Sequence, residues 1–172
     1  TYLDGRVHGY QCEIETSSRK WAGGIYDEAR RGWLYPLTRN PKGQDAFTNG
    51  RWNSYRIEAI GNTLKTFVNG IQASNLVDDM TAKGFIAFQV HSISSPEDEG
   101  KKVQWKNIRI LTTALDKNRM METNKAPQIS YLENQLTEEE KRLGFRLLWD
   151  GKTTKGWRGV KKMVFPDQGW NI

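Results

Sequence analysis

Two side chains stand out as proton carriers: His91 in the stretch FQVHS and Glu13 in GYQCEIE. An imidazole takes up and returns a proton near neutral pH and is a common metal ligand. A carboxylate brought next to it can serve as a general base or share a cation with it. The residues around each decide where it points. In 85–92, Ile86, Phe88 and Val90 alternate with Gln89 and His91. In 8–15, Tyr10, Cys12 and Ile14 alternate with Gln11, Glu13 and Glu15, and in 52–60, Tyr55, Ile57 and Ala59 alternate with Ser54, Arg56 and Glu58. Side chains two apart share a face of a strand. Gln11, Glu13, Arg56, Glu58, Gln89 and His91 therefore form one polar face if the three strands share a sheet. Two readings stand: a concave face turned to a ligand, or a solvated outer face held by cross-strand ion pairs. No His/Cys/Asp/Glu cluster shows the spacing of a metal site.

The elements that must carry these groups are short strands. Strands are expected at 8–15, 52–60, 63–68, 71–77, 85–92 and 103–111, with 71–77 a short strand or arm. Asn69-Gly70 marks a tight hairpin turn, because both central residues of a type I′ turn need positive φ; Gly61-Asn62 marks another. Residues 19–51 read as a long irregular loop punctuated by Gly23-Gly24, Gly32, Pro36, Pro41 and Gly43; loops of that length are often functional. With no convincing helix among them, these segments predict an all-β antiparallel sandwich.

Beyond residue 113 the pattern changes. Residues 114–136 lack alternation and read as a linker. Thr137 and Glu140 form a capping box that opens a short helix, which Gly144 ends. FRLLWDGKTTKGWRG then starts a new apolar pattern with too few strands to close a core. Trp52, Trp105, Trp149 and Trp157 are expected in core or interface positions.

Composition excludes several classes. The 172 residues are 37% hydrophobic, and no run approaches the roughly 18 apolar residues of a membrane span. The net charge is +6, but the basic residues are scattered among acidic ones, which argues against a nucleic-acid surface. The single cysteine, Cys12, reads as a small buried hydrophobe. Thr1-Tyr2-Leu3-Asp4-Gly5 shows neither the basic nor the apolar part of an export signal.

GGIYDEARRGWLYP, WNSYRIEAIGNTLKTFVNG and DDMTAKGFIAFQVHS closely resemble the later half of the DUF1080, or 3-keto-disaccharide hydrolase, family. LTEEEKRLGFRLLWDGKTTKGWRG and FPDQGWNI resemble the opening of the same domain. The resemblance implies a division into 1–113, the end of one domain; 114–136, a linker; and 137–172, the start of a second. It implies a concanavalin-A-like jelly roll, incomplete in this chain, with the sugar site on the concave sheet.

The implied activity is cleavage of 3-keto-glycosides by a hydrolase or lyase/hydratase route. A C3 ketone acidifies the C2 proton, and loss of that proton expels the aglycone. Such chemistry needs a base, an electrophile for the ketone oxygen and an acid for the leaving group. The resemblance leaves a divalent metal as a candidate electrophile. It implies an oxidised-glycoside substrate and an exported, periplasmic or extracellular bacterial protein. It also implies a partner that completes the sandwich, either the rest of a parent chain or a second copy.

The resemblance favours the concave-face reading, with His91 and Glu13 catalytic and Gln11, Arg56, Glu58 and Gln89 binding substrate. It adds the loop side chains Tyr26, Asp27, Glu28, Arg30, Arg31 and Trp33: polar groups for hydroxyls and an aromatic plane for a sugar's apolar face. The alternative for the loop is internal Asp/Glu–Arg pairing with Trp33 in the core. A non-catalytic carbohydrate-binding module and an interaction domain remain as other functional readings.

Overall fold

The computed structural model describes residues 4–122 and 124–171. Thr1–Leu3, Thr123 and Ile172 of the expected units lie outside these residues. Strands β1 (Gly9–Cys12), β2 (Ile25–Glu28) and β3 (Gly32–Tyr35) make one antiparallel sheet. Strands β4 (Tyr55–Ile60), β5 (Thr63–Val68) and β6 (Ile71–Val77) make a second, to which β7 (Ile129–Ser130) adds in parallel. The chain is therefore all-β, with two short helices, α1 (Pro41–Gln44) and α2 (Glu138–Arg142).

Local chemistry explains the β4–β6 meander. Asn69 and Gly70 both have positive φ, as the tight turn requires. The Asn69 side chain also receives the Ser54 amide at 2.9 Å and donates to the Ala46 carbonyl at 2.8 Å, which fixes the approach to β4. The two sheets meet at Gly23. A Cβ there would lie 2.7 Å from both Ala73 Cβ and Val68 Cγ2, so only glycine permits this approach. Beside it, Thr66 donates its hydroxyl to the Gly23 carbonyl. Ile25, Leu34, Tyr35, Leu37, Val68, Ala73 and Leu76 form the core, each nearly or fully buried.

The α2 boundaries follow the expected signals. Thr137 and Glu140 cap each other reciprocally. Phe145 N reaches Glu140 O and Gly144 N reaches Lys141 O, with Gly144 at positive φ, which closes the helix as a Schellman motif.

Several expectations need correction. Residues 19–51 are not an irregular loop, since they hold β2, β3 and α1. Residues 85–92 and 103–111 are not strands: no described ladder pairs them, and Ile86, Val90, Ile108 and Ile110 are exposed. Alternation there marks a segment suited to a sheet, but a strand also needs a hydrogen-bonded neighbour. In β4 the expected parity holds, but Ile57 is 57% exposed while Glu58, on the outer face, is 7% exposed, the reverse of the expected burial. Of the core and interface alternatives for the tryptophans, Trp52, Trp149 and Trp157 are exposed and so lie outside the core.

Residues 118–122 and 124–126 lie over the outer face of β4–β6. Their backbone satisfies polar side chains of that face. Glu58 receives Met120 N at 2.6 Å, Gln72 receives Ala126 N at 3.1 Å, and Arg56 donates to the Asn118 carbonyl. Lys65 pairs with Glu122. This cover accounts for the burial of Glu58.

Candidate functional site

The outward face of the β1–β2–β3 sheet gathers the candidate groups. Gln11 lies opposite Tyr26, and Tyr26 opposite Trp33, so the three share a face. Glu13 continues it one step beyond β1. Its amide donates to Gly24 O at 3.0 Å and its carbonyl accepts from Gly23 N at 2.8 Å, which anchors its backbone on both sides.

Gly24 makes room for the aromatic part. A Cβ there would meet Tyr35 O at 2.9 Å, Trp21 O at 3.0 Å and the Trp33 ring at 3.2 Å. Trp33 takes an edge-on contact with Tyr26 at 5.2 Å and with Trp21 at 4.8 Å between ring centroids. Arg19 lays its guanidinium over both indoles, 4.5 Å from Trp21 and 4.8 Å from Trp33. Glu15 holds that guanidinium in place, accepting from its Nε at 3.1 Å and from its Nη2, and it also accepts the Trp21 amide at 2.6 Å.

Sequence reasoning missed Arg19 and Trp21 and did not single out Glu15 as a site residue. Their signal is the spacing Glu15–Arg19–Trp21. It becomes readable only once the chain turns at Ser17–Lys20, where Lys20 N bonds Ser17 O at 3.1 Å and Lys20 takes positive φ.

The Glu13 carboxyl has one neutral donor, Gln11 Nε2 at 3.4 Å. Burial holds its pKa above the ordinary carboxylate value, the neighbouring Glu15 charge adds to that, and Arg19 and His91 pull the other way. The influence of His91 thus reaches Glu13, but no described hydrogen bond joins them. His91 is exposed, with Nδ1 2.9 Å from the Ser92 carbonyl. Gln89 is exposed on the same extended segment. Glu28 shares the outward face and lies 3.9 Å from Arg6 Nη2.

The loop does not turn as one unit to this face. Asp27 lies between Tyr26 and Glu28 and so points inward, where it is fully buried. Arg30 Nε and Arg31 Nε each reach it at 2.7 Å, on different carboxylate oxygens. A second Arg30 nitrogen sits 2.5 Å from Asp27 without hydrogen-bond alignment. Arg31 continues to Asp78 Oδ2 at 2.7 Å, and Asp78 accepts the Tyr10 hydroxyl. Arg30 and Arg31 are thereby tied to buried carboxylates. Arg31 also lines a separate cleft of about 580 Å³ with Tyr131, Glu133 and Asp150.

Arg56 and Glu58 belong to the other sheet and pair with each other at 2.8 Å. The expectation that strands 8–15, 52–60 and 85–92 share one polar face is corrected accordingly. Among the described residues no three His, Cys, Asp or Glu side chains form a metal-holding group.

No curated protein matches the chain. The sequence profile of the 3-keto-alpha-glucoside-1,2-lyase-like domain matches residues 2–111. That span carries β1 to β6 and every side chain of the outward face, and the fold of the family is a concanavalin-A-like sandwich, the all-β class seen here. With well over half of its length matched, the chain belongs to the 3-keto-alpha-glucoside-1,2-lyase-like domain family.

Proposed function

We infer that the outward face of β1–β3 takes a 3-keto-glycoside and that Glu13 is the base that removes the proton beside the ketone. The observation that carries this reading is the half-buried Glu13 carboxyl, with its raised pKa, next to an aromatic cluster on a family-matched face. A raised carboxylate is a better base once ionised, and partial burial strengthens it further. Loss of the C2 proton leaves an enolate that expels the C1 substituent, and water then adds across the C1–C2 double bond. His91 is the proton source for the departing oxygen. Trp33, Tyr26 and Trp21 offer apolar surface to the sugar ring, and Gln11 and Glu28 offer acceptors and donors for its hydroxyls. Asp27, Arg30 and Arg31 position the loop, and Arg56, Glu58 and Gln89 have no part in this face.

A second reading is a carbohydrate-binding module. The arginine-stacked indoles and the missing His91–Glu13 hydrogen bond favour it. The family's typical setting supports an extracellular or periplasmic location. Residues 137–172 are read as the start of a second domain of the same kind.

Incubation of the chain with a 3-keto-disaccharide, followed by product analysis and tryptophan fluorescence, separates these readings. Release of the second sugar, lost in Glu13→Gln with binding retained, supports the lyase. Binding without release leaves the module. Neither binding nor release sinks both.

A further inference from the structure

The charges on the outward face are not free to an equal degree. Arg19 gives its Nε and Nη2 to Glu15 and lays its planar surface over two indoles. Arg6 lies 3.9 Å from Glu28. Glu13 takes part in no described ion pair; its only described side-chain bond is the 3.4 Å contact from the neutral Gln11 amide. The carboxylate without a described ion pair in the middle of the face is thus Glu13, while Arg19 and Arg6 each lie beside another carboxylate.

We propose that this face selects uncharged or cationic glycones and rejects anionic ones, with Glu15 and Arg19 as the specificity-determining pair. The inference rests on the reading that the face takes a glycoside. A uronate or sulfate docking here meets the Glu13 carboxylate, while the Arg19 charge beside it is already balanced by Glu15. A neutral ring meets the Trp33 and Trp21 edges, and an aminosugar gains a partner in Glu13. Arg19 acts by omission: as long as Glu15 neutralises it, it is a flat packing element rather than an anion receiver.

The test is a fluorescence titration of the full chain with a 3-keto-disaccharide and with the same sugar oxidised at C6 to the uronate. The unmodified chain is expected to bind the neutral sugar about tenfold or more tighter, the scale of one like-charge contact near a protein surface. Glu15→Gln keeps an acceptor for the Trp21 amide but frees Arg19, and the ratio is expected to fall to about one or to invert. Arg19→Gln alone, which does not depend on that variant folding, keeps or widens the discrimination. Equal binding of both sugars by the unmodified chain, an unchanged ratio in Glu15→Gln, or lost discrimination in Arg19→Gln overturns the proposal and leaves the glycoside reading standing. Binding of neither sugar overturns that reading, and this one with it.

Discussion

Tyr10 on β1 donates its phenolic hydroxyl to Asp78 just past the end of β6, so one hydrogen bond fastens the two sheets together. Asp78 also receives Arg31 at 2.7 Å and the Met80 amide at 2.9 Å. Burial, and then the Asp78 carboxylate, push the Tyr10 hydroxyl up to about 12. The folded chain keeps a proton that the unfolded chain releases near the ordinary tyrosine value of about 10. The resulting stabilisation is whole below that value and is lost as pH rises through about 12. Denaturant titrations between pH 9 and 12 are expected to show a loss of roughly 1–2 kcal/mol, after discounting for solvent screening. Tyr10→Phe reduces that slope, with Tyr35 and Cys12, also raised by burial, keeping the remainder, and an equal slope in Tyr10→Phe rules the assignment out.

The Asp27 carboxylate is fully buried between two guanidiniums, whereas the Glu15–Arg19 pair has its arginine side chain 44% exposed. The two pairs differ accordingly in worth. Removing one partner of a buried pair strands charge and costs about 3–5 kcal/mol, while exposed pairs contribute about 0–1 kcal/mol. Asp27→Ala is therefore expected to shift the urea midpoint far more than Arg19→Gln. Comparable shifts in the two variants would show that the Asp27 network is not what holds the loop.

Alternation made part of this molecule legible. β4, β5 and β6 follow from period-two patterning and from Asn69-Gly70, because a hairpin is local and its turn chemistry is written in adjacent residues. The outward-facing Gln11 and Glu13 followed from the same parity. Segments 85–92 and 103–111 show the limit: their residues alternate as well as those of β4, yet pairing depends on a neighbouring backbone that no local pattern reports. The burial of Glu58 was hidden for a related reason, since its cover arrives 62 residues later with Met120. The Arg19–Trp21–Trp33 stack was unreadable because it forms across a turn and two strands. Asp27 could have been separated from Tyr26 and Glu28 by parity alone, had the stretch been recognised as a strand.

Gly24 sets the position of the aromatic cluster. An added methyl would press on two carbonyl oxygens and the Trp33 ring, all within 3.2 Å, so either β3 or the indole must move. Gly24→Ala is expected to cost about 1–3 kcal/mol, the usual penalty for overpacking. It should also shift the tryptophan emission. Gly84→Ala is the control: its Cβ would meet nothing within 4 Å, and a change within about 0.5 kcal/mol is expected. Equal effects at the two sites would remove Gly24 from the account of the face.

Glu13 joins stability to reactivity with opposite signs. Burial first and Glu15 second hold its proton above the ordinary glutamate value of about 4.3, against the pull of Arg19 and His91. A carboxyl raised in the folded state adds stability below that ordinary value and loses it as pH rises through the raised one. Ionised Glu13 thus costs the fold something at neutral pH, and Glu13→Gln is expected to be more stable there. A base must be ionised to act, so the rate should climb over the same window in which stability falls. Glu15→Gln removes a like charge and moves the acid limb of the rate profile, and the carboxyl midpoint seen by NMR, to lower pH. Arg19→Gln and His91→Gln remove opposing positive influence and move both to higher pH. A limb that stays fixed while the carboxyl midpoint moves would separate Glu13 from the base. A midpoint that does not respond to Glu15 would show that burial alone sets it.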